Sequence, residues 1–431
     1  MAFVTETEEG EFEQEVEATP TLRELLSSRS VKLIIASRFF SSGSSVAVAV
    51  AAGKIVFDIT DRELDLGFIG LAEFLPTALL VLLAGSLADR YDRRRIAFVA
   101  LLAEGIVAAG LAWYVSTDPT AVWPIFLLVG LIGTARGFAN PASRALPPLV
   151  APPGGLPRLI STTSATWQMA AVAGPVMAGM VFVIDPALPF VVIAISLVLS
   201  GILLLLVKYE TEQEMTTERP TLSSALEGLR LVRRTPILLA AIGLDLAAVL
   251  FGGAVALAPA LAEDRLGVGA IGLGWLRGAS GIGAGLMAIA LTVAPVSRYV
   301  GRRLLYAVFA FGVFTVMLGF TQSFAVAMLL LCAIAAADML SVYVRATIVP
   351  LATPDHLRGR VMAVEAVFIG ASNELGAFES GVTAELFGLV PAIVLGGAAT
   401  IVIVILWWFL FPSMRKLDRF DEIDITTRRG V

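Results

Sequence analysis

Gly85-Ser86-Leu87-Ala88-Asp89-Arg90-Tyr91-Asp92-Arg93-Arg94-Arg95 places six charged side chains at the boundary between two apolar runs. The run before it, residues 66–88, holds one ionisable residue, Glu73, and the run after it, residues 96–116, also holds one, Glu104. A helix needs about 20 mostly apolar residues to cross a hydrocarbon core about 30 Å thick. Both runs meet that length, so the charged stretch reads as a tight polar turn between two membrane-spanning helices.

The same criterion finds twelve spans along the chain, at 31–54, 66–88, 96–116, 121–140, 162–184, 187–207, 236–262, 268–293, 302–320, 323–345, 361–387 and 391–411. Helices are the expected form, because every backbone N–H and C=O in lipid must be satisfied within its own segment. Composition agrees: 57% of the 431 residues are apolar and 16% are charged, against roughly 25% charged in a soluble domain. A mean hydropathy of +0.86 leaves too little polar surface for a water-facing particle. Cys332 and His356 are the only cysteine and histidine, which argues against a disulfide framework or a zinc site. The net charge of -5 carries no nucleic-acid signature.

Direction follows from the basic residues. With a cytoplasmic N-terminus, the inner segments collect 26 of the 31 Lys and Arg, three of them assigned after the fourth span and three after the tenth. The outer loops hold Arg62 and Arg265, and Arg38, Lys54 and Arg277 fall within spans or at their ends. That asymmetry is a strong positive-inside signal, which predicts cytoplasmic termini. Residues 1–20 carry seven Glu and no Lys or Arg, so they lack the features of a signal peptide and read as a disordered acidic tail.

The expected organisation is an acidic tail (1–30), a six-helix bundle (31–207), a polar middle loop (208–235), a second six-helix bundle (236–411) and a C-terminal tail (412–431). In the loop, Leu222, Ala225, Leu229 and Val232 recur on one helical face, which predicts an amphipathic helix at the membrane surface. A weak repeat supports two equivalent halves. Arg144-Ala145-Leu146-Pro147-Pro148-Leu149-Val150-Ala151-Pro152-Pro153 and, 201 positions later, Arg345-Ala346-Thr347-Ile348-Val349-Pro350-Leu351-Ala352-Thr353-Pro354 share four of ten residues.

The loop at 85–95 resembles the signature G-x-L-a-D-r-x-G-r-[RK]-x-[RK] of the major facilitator superfamily, with Asp92 where the family has its second glycine. The resemblance covers essentially the whole chain and implies twelve helices in two pseudo-symmetric bundles. It also implies a gating role for Gly85, Asp89, Arg90 and Arg94. In this family the matching aspartate locks the outward-open state through the start of span eleven, which here carries Arg358 and Arg360. Ala173-Gly174-Pro175-Val176-Met177-Ala178-Gly179 in span five is similar to the GPxxGG core of exporters. Gly174 and Gly179 permit close helix contact, and Pro175 removes a backbone donor. The runs Leu87–Arg94, Asn140–Arg144, and Thr353-Pro354 with Arg358–Val361 look like the siderophore and drug exporter branch.

Ionisable side chains inside a bilayer are costly, so each needs a partner or a role. Asp245 and Arg277 lie at similar depths in spans seven and eight, where they could pair. Span eleven carries Glu365, Glu374 and Glu379; Glu73, Glu104 and Asp338 lie in spans two, three and ten. Arg38 with Ser41, Ser42 and Ser45 makes a polar stripe fit for a wet cavity wall. Since burial favours a neutral carboxylic acid, Asp245 and Glu374 are the first candidates for proton coupling, with Glu73, Glu104 and Glu379 behind them. The expectation is a monomeric secondary exporter of the cell (inner) membrane. It expels a small amphipathic compound by rocker-switch alternating access, with the proton gradient as energy source and no cofactor. An importer or a lysophospholipid flippase would use the same scaffold. A receptor or intramembrane enzyme is a remote alternative, since neither a Walker motif nor a Ser–His or metal-ligand constellation is present.

Overall fold

The computed structural model describes residues 21–88, 92–208, 222–354 and 357–423. Among the described residues, twelve long helices stand at the positions of the expected spans. The first half holds α1 (Arg29–Thr60), α2 (Glu63–Ala88), α3 (Arg93–Val115), α4 (Trp123–Arg144), α5 (Leu156–Phe182) and α6 (Leu188–Leu205). The second holds α7 (Pro236–Phe251), α8 (Gly269–Val293), α9 (Val300–Phe320), α10 (Phe324–Leu351), α11 (Arg358–Phe387) and α12 (Leu389–Leu410). Among the described residues, eleven helical segments are long and apolar enough to cross a membrane. The remaining helix, α2, is 26 residues long and stands where the second span was expected.

Span seven is interrupted rather than continuous. α7 stops at Phe251, and the chain continues to Arg265 through a 3-10 turn, a short α segment and a π turn. Gly252 and Gly253 weaken the helix there, and Pro259 supplies no N–H to the following turn. A Cβ on Gly253 would come within 2.6 Å of the Gly376 carbonyl oxygen, and one on Gly376 within 2.7 Å of the Val249 carbonyl oxygen. The glycines thus let α7 and α11 meet backbone to backbone.

Asp92 explains the departure from the family signature. It is the N-cap of α3, and its Oδ1 accepts a 2.9 Å hydrogen bond from the Arg94 backbone N–H. Arg94 in turn pairs with Asp92 at 2.8 Å and donates to the Val207 carbonyl, also at 2.8 Å, tying the start of α3 to the end of α6.

The two tails are not wholly free of the bundle. Helix Leu22–Leu25 is closed by a Thr21–Glu24 capping box, and its Leu25 is buried against Val31 and Leu159. Residues 1–20 lie outside the described part. At the other terminus, helix Pro412–Lys416 buries Met414, and the Asp418 carbonyl accepts from Val300 N–H at 3.2 Å. The amphipathic helix is present as Leu222–Arg234, with Val232 buried and Arg230, Arg233 and Arg234 exposed. Its Glu227 pairs with Arg360, which anchors it to the start of α11.

The helices Leu22–Leu25, Leu222–Arg234 and Pro412–Lys416 lie at one end of the bundle, hereafter the terminal end. At the opposite end the two halves are closed against each other. α2 packs on α11, with the Phe68 and Phe378 rings 5.4 Å apart. α5 packs on α8 in the same way. Two ion pairs add to this closure: Lys54 of α1 with Glu263 at 3.3 Å, and Arg62 with Glu385 at 3.2 Å.

Candidate functional site

Two cavities lie along the interface between the halves. The deeper one, about 420 Å³, is walled by α1 and α2 on one side and by the α7 break, α8, α9, α10 and α11 on the other. Glu73, Arg277, Asp338 and Glu374 all line it. The second, about 900 Å³, opens towards the terminal end between α1, α4, α5, α8 and α10, and we call it the vestibule. The halves separate there: a Cβ on Gly285 of α8 would meet nothing within 4 Å.

The α5–α8 seam changes character along its length. Near the closed end, a methyl group on Gly174 would overlap the backbone of Gly43 in α1, and one on Gly179 the backbone of Ala270. A Cβ on Gly274 of α8 would stand 2.6 Å from the Pro175 carbonyl oxygen. Pro175 and Gly179 therefore sit where the two halves approach closely, while Gly174 brings α5 against α1 within the first half. Towards the terminal end, larger side chains such as Ile160, Trp167 and Ile289 hold α5 and α8 apart and line the vestibule.

Buried charges are organised around two arginines. Arg136 of α4 pairs with Glu73 of α2 and approaches Glu104 of α3, with Nε 3.5 Å from Oε2. Arg345 of α10 pairs with Asp245 of α7 and, at 3.2 Å, with Glu365 of α11. Arg136 falls within the expected span four and Arg345 at the end of span ten, and both count as inner basic residues in the tally of Lys and Arg. The structure buries both side chains within long helices, Trp123–Arg144 and Phe324–Leu351. Reading Arg136 inside the stated limits of span four, among apolar neighbours, was the signal that could have found it. Arg345 stood on the boundary and gave no such signal.

Several expected pairings change. Asp245 does not meet Arg277; its partner is Arg345, and Asp245 lines neither cavity. Arg277 instead faces the central cavity within electrostatic reach of Glu374, and its Nε is buried with no hydrogen-bond partner among the described residues. Glu379 does not reach the cavity: its Oε1 accepts from Thr383 Oγ1 at 2.9 Å. Glu104 is 3% exposed and held by Arg136, away from the cavity lining. Glu374 lies over Gly70 of α2, where any methyl group would strike its carboxylate. It is within electrostatic reach of Glu73 and Arg136 across the interface. Arg38 and Ser41 line the vestibule, whereas Ser45 lines the central cavity and Ser42 is buried. Gly85 is in α2, and Asp89 and Arg90 lie outside the described residues.

The sequence profile of a family described as transmembrane secretion effectors, a branch of the major facilitator superfamily, matches residues 25–428. The chain belongs to this family. As a member of the major facilitator superfamily it is a multi-pass membrane transporter rather than an enzyme. Its similarity to the multidrug efflux pump Tap of Mycolicibacterium fortuitum is 27% identity over 415 residues, covering 90% of this chain and 96% of Tap. It is also 25% identical over 145 residues to macrolide efflux protein A of Streptococcus pyogenes, covering 32% of this chain and 35% of that protein. Among solved structures, the xylose transporter XylE of E. coli in an inward open conformation superposes with a TM-score of 0.67. That match covers 93% of this chain and 100% of XylE at 13% identity, a likeness that shows the shared major facilitator fold.

Proposed function

We propose that the protein is a proton-coupled exporter of amphipathic, drug-like compounds that works by rocker-switch alternating access. The terminal end is cytoplasmic in this reading, as the distribution of Lys and Arg requires, and the structure is then an inward-open state ready to load. The observation that carries the proposal is the central cavity itself. It gathers Glu73 from one half with Asp338 and Glu374 from the other, while among the described residues Arg277 is the only basic one on its lining.

Carboxylates so placed are costly when all are charged, and protonation relieves that cost. Glu73 and Glu374 face each other across the seam that must part when the far end opens. Their proton load is therefore coupled to the closure of α2 on α11. Asp338 and Arg277 complete the set of groups that sense it. The similarity to Tap and to macrolide efflux protein A supports export of drug-like cargo, and siderophores belong in the test panel on the strength of the sequence resemblance. The protein is taken to act as a monomer.

The test is uptake into inside-out vesicles with an acidic interior, using lipophilic drugs and catecholate siderophores. Accumulation that an uncoupler collapses, and that Glu374→Gln loses, is the expected result. Movement of a compound only down its own gradient, unchanged by uncoupler or by Glu374→Gln, would overturn proton coupling.

A further inference from the structure

The repeat places two arginines in equivalent positions with opposite surroundings. Counting from the first residue of each helix, Arg144 is the twenty-second residue from Trp123 and Arg345 the twenty-second from Phe324. Arg345 is neutralised by Asp245 and Glu365. Arg144 has no carboxylate partner among the described residues, and it lines the vestibule together with another cation, Arg38 of α1, on which its charge acts. The helix that supplies Glu365 in the second half is matched by α5 in the first. Glu365 is the eighth residue of α11, and the eighth residue of α5 is Thr163, which lines the vestibule. Where one half holds a carboxylate, the other holds a hydroxyl.

We infer that the vestibule is a binding site for the anionic head of an amphiphile, a phosphate or carboxylate held between Arg38 and Arg144. Guanidinium groups grip such oxyanions through paired N–H donors. Two arginines side by side without an acid repel each other, and a bound anion removes that repulsion. Ser41, Ser143 and Ser164 line the same cavity, and no acidic residue lines it among the described residues. The Gln168 Oε1 is buried there with no hydrogen-bond partner among the described residues, which leaves an acceptor for a donor group on the ligand. Beside this polar floor, Ile160, Trp167 and Ile289 are 52%, 42% and 65% exposed, an apolar shelf on facing sides of α5 and α8 suited to an alkyl chain.

The inference rests on the exporter reading only for its role as a loading site, and binding tests it separately. Calorimetry on the full chain in detergent would compare hexyl phosphate, hexyltrimethylammonium and inorganic phosphate. Hexyl phosphate is expected to bind, the cation not to bind, and inorganic phosphate to bind more weakly because it leaves the shelf empty. Arg38→Gln and Arg144→Gln should each weaken hexyl phosphate by about tenfold to a hundredfold, the range for losing a hydrogen bond to a charged group. Arg144→Lys should weaken binding less than Arg144→Gln, since it keeps the charge but loses the paired donors, and because Arg144 is exposed its variants are expected to keep the wild-type melting temperature. Equal binding of cation and anion, or unchanged affinity in the Arg38→Gln/Arg144→Gln double variant, would overturn the site. Inorganic phosphate binding as tightly as hexyl phosphate would overturn the amphiphile. If hexyl phosphate binds as expected but no vesicle transport responds to protons, the exporter reading fails and the site stands. If drug transport stays proton-driven while anions and cations bind alike, the reverse holds.

Discussion

Arg345 holds Asp245 in an ion pair within the second half, between α10 and α7, and neither side chain lines a cavity. The pair, with Glu365, clamps three helices of one rigid body, whereas Glu73 and Glu374 face each other from two bodies that must move apart. That difference separates a structural role from a coupling role, and the predictions follow from it.

Asp245→Asn should lower the thermal midpoint of the detergent-solubilised protein by several degrees while leaving transport sensitive to the proton gradient. Breaking a buried ion pair by removing one partner costs about 3–5 kcal/mol, softened here because Glu365 remains beside Arg345. Paired melting curves and uncoupler-sensitive uptake check it; loss of proton dependence with an unchanged midpoint would contradict the structural role.

Arg136→Gln should be more damaging than Arg136→Gln combined with Glu104→Gln. The single variant strands Glu104, which is 3% exposed, whereas the double variant leaves no unpaired charge at that position. Glu73 remains at the cavity edge, where water can reach it. Expression level and thermal midpoint of the two variants give the order directly.

Gly274→Val should shift the protein away from the closed far end. Even a methyl group would meet the Pro175 carbonyl oxygen at 2.6 Å, so the α5–α8 seam must part to hold a branched side chain. Spin labels replacing Arg62 and Glu385, which now pair at 3.2 Å, would report a longer distance in a Cys332→Ala background. An unchanged distance distribution would show that the seam absorbs the bulk locally.

The C-terminal segment should stay docked throughout the neutral range and be lost only in strong acid. The Asp418 carboxylate is held below its ordinary pKa, first by the Tyr299 backbone N–H at 2.9 Å and then by Arg298. A carboxylate lowered on folding contributes stability above its unfolded pKa of about 3.9 and loses it as pH falls through the folded value. Protection of the amides at the start of α9, taken relative to their intrinsic exchange rate at each pH, should therefore be the same at pH 7 and pH 5 in wild type, and lower in Asp418→Asn at both.

The membrane fold was legible because its signals are local. An apolar run long enough to span lipid has only one way to satisfy its backbone, and basic residues declare the side on which they stay. The break in span seven was less visible, since Gly252-Gly253 permits a break without demanding one. Helix ends were the weak point: counting Arg136, inside span four, and Arg345, at the end of span ten, among the inner basic charges hid the two hubs of buried charge.

Sequence by itself determined that the chain is a helical, multi-pass membrane protein of the major facilitator type, where its basic residues cluster, and which carboxylates had to be explained. Tertiary structure alone decided which charge meets which. Asp245 and Arg277 share a depth but not a direction, and Coulombic pairing in a bilayer depends on a few ångströms of separation between helices far apart in sequence. The equivalent positions of Arg144 and Arg345 could be aligned by counting. That one is neutralised and the other faces a cavity follows from how each half packs its neighbours around it, and from the opening of the bundle at one end.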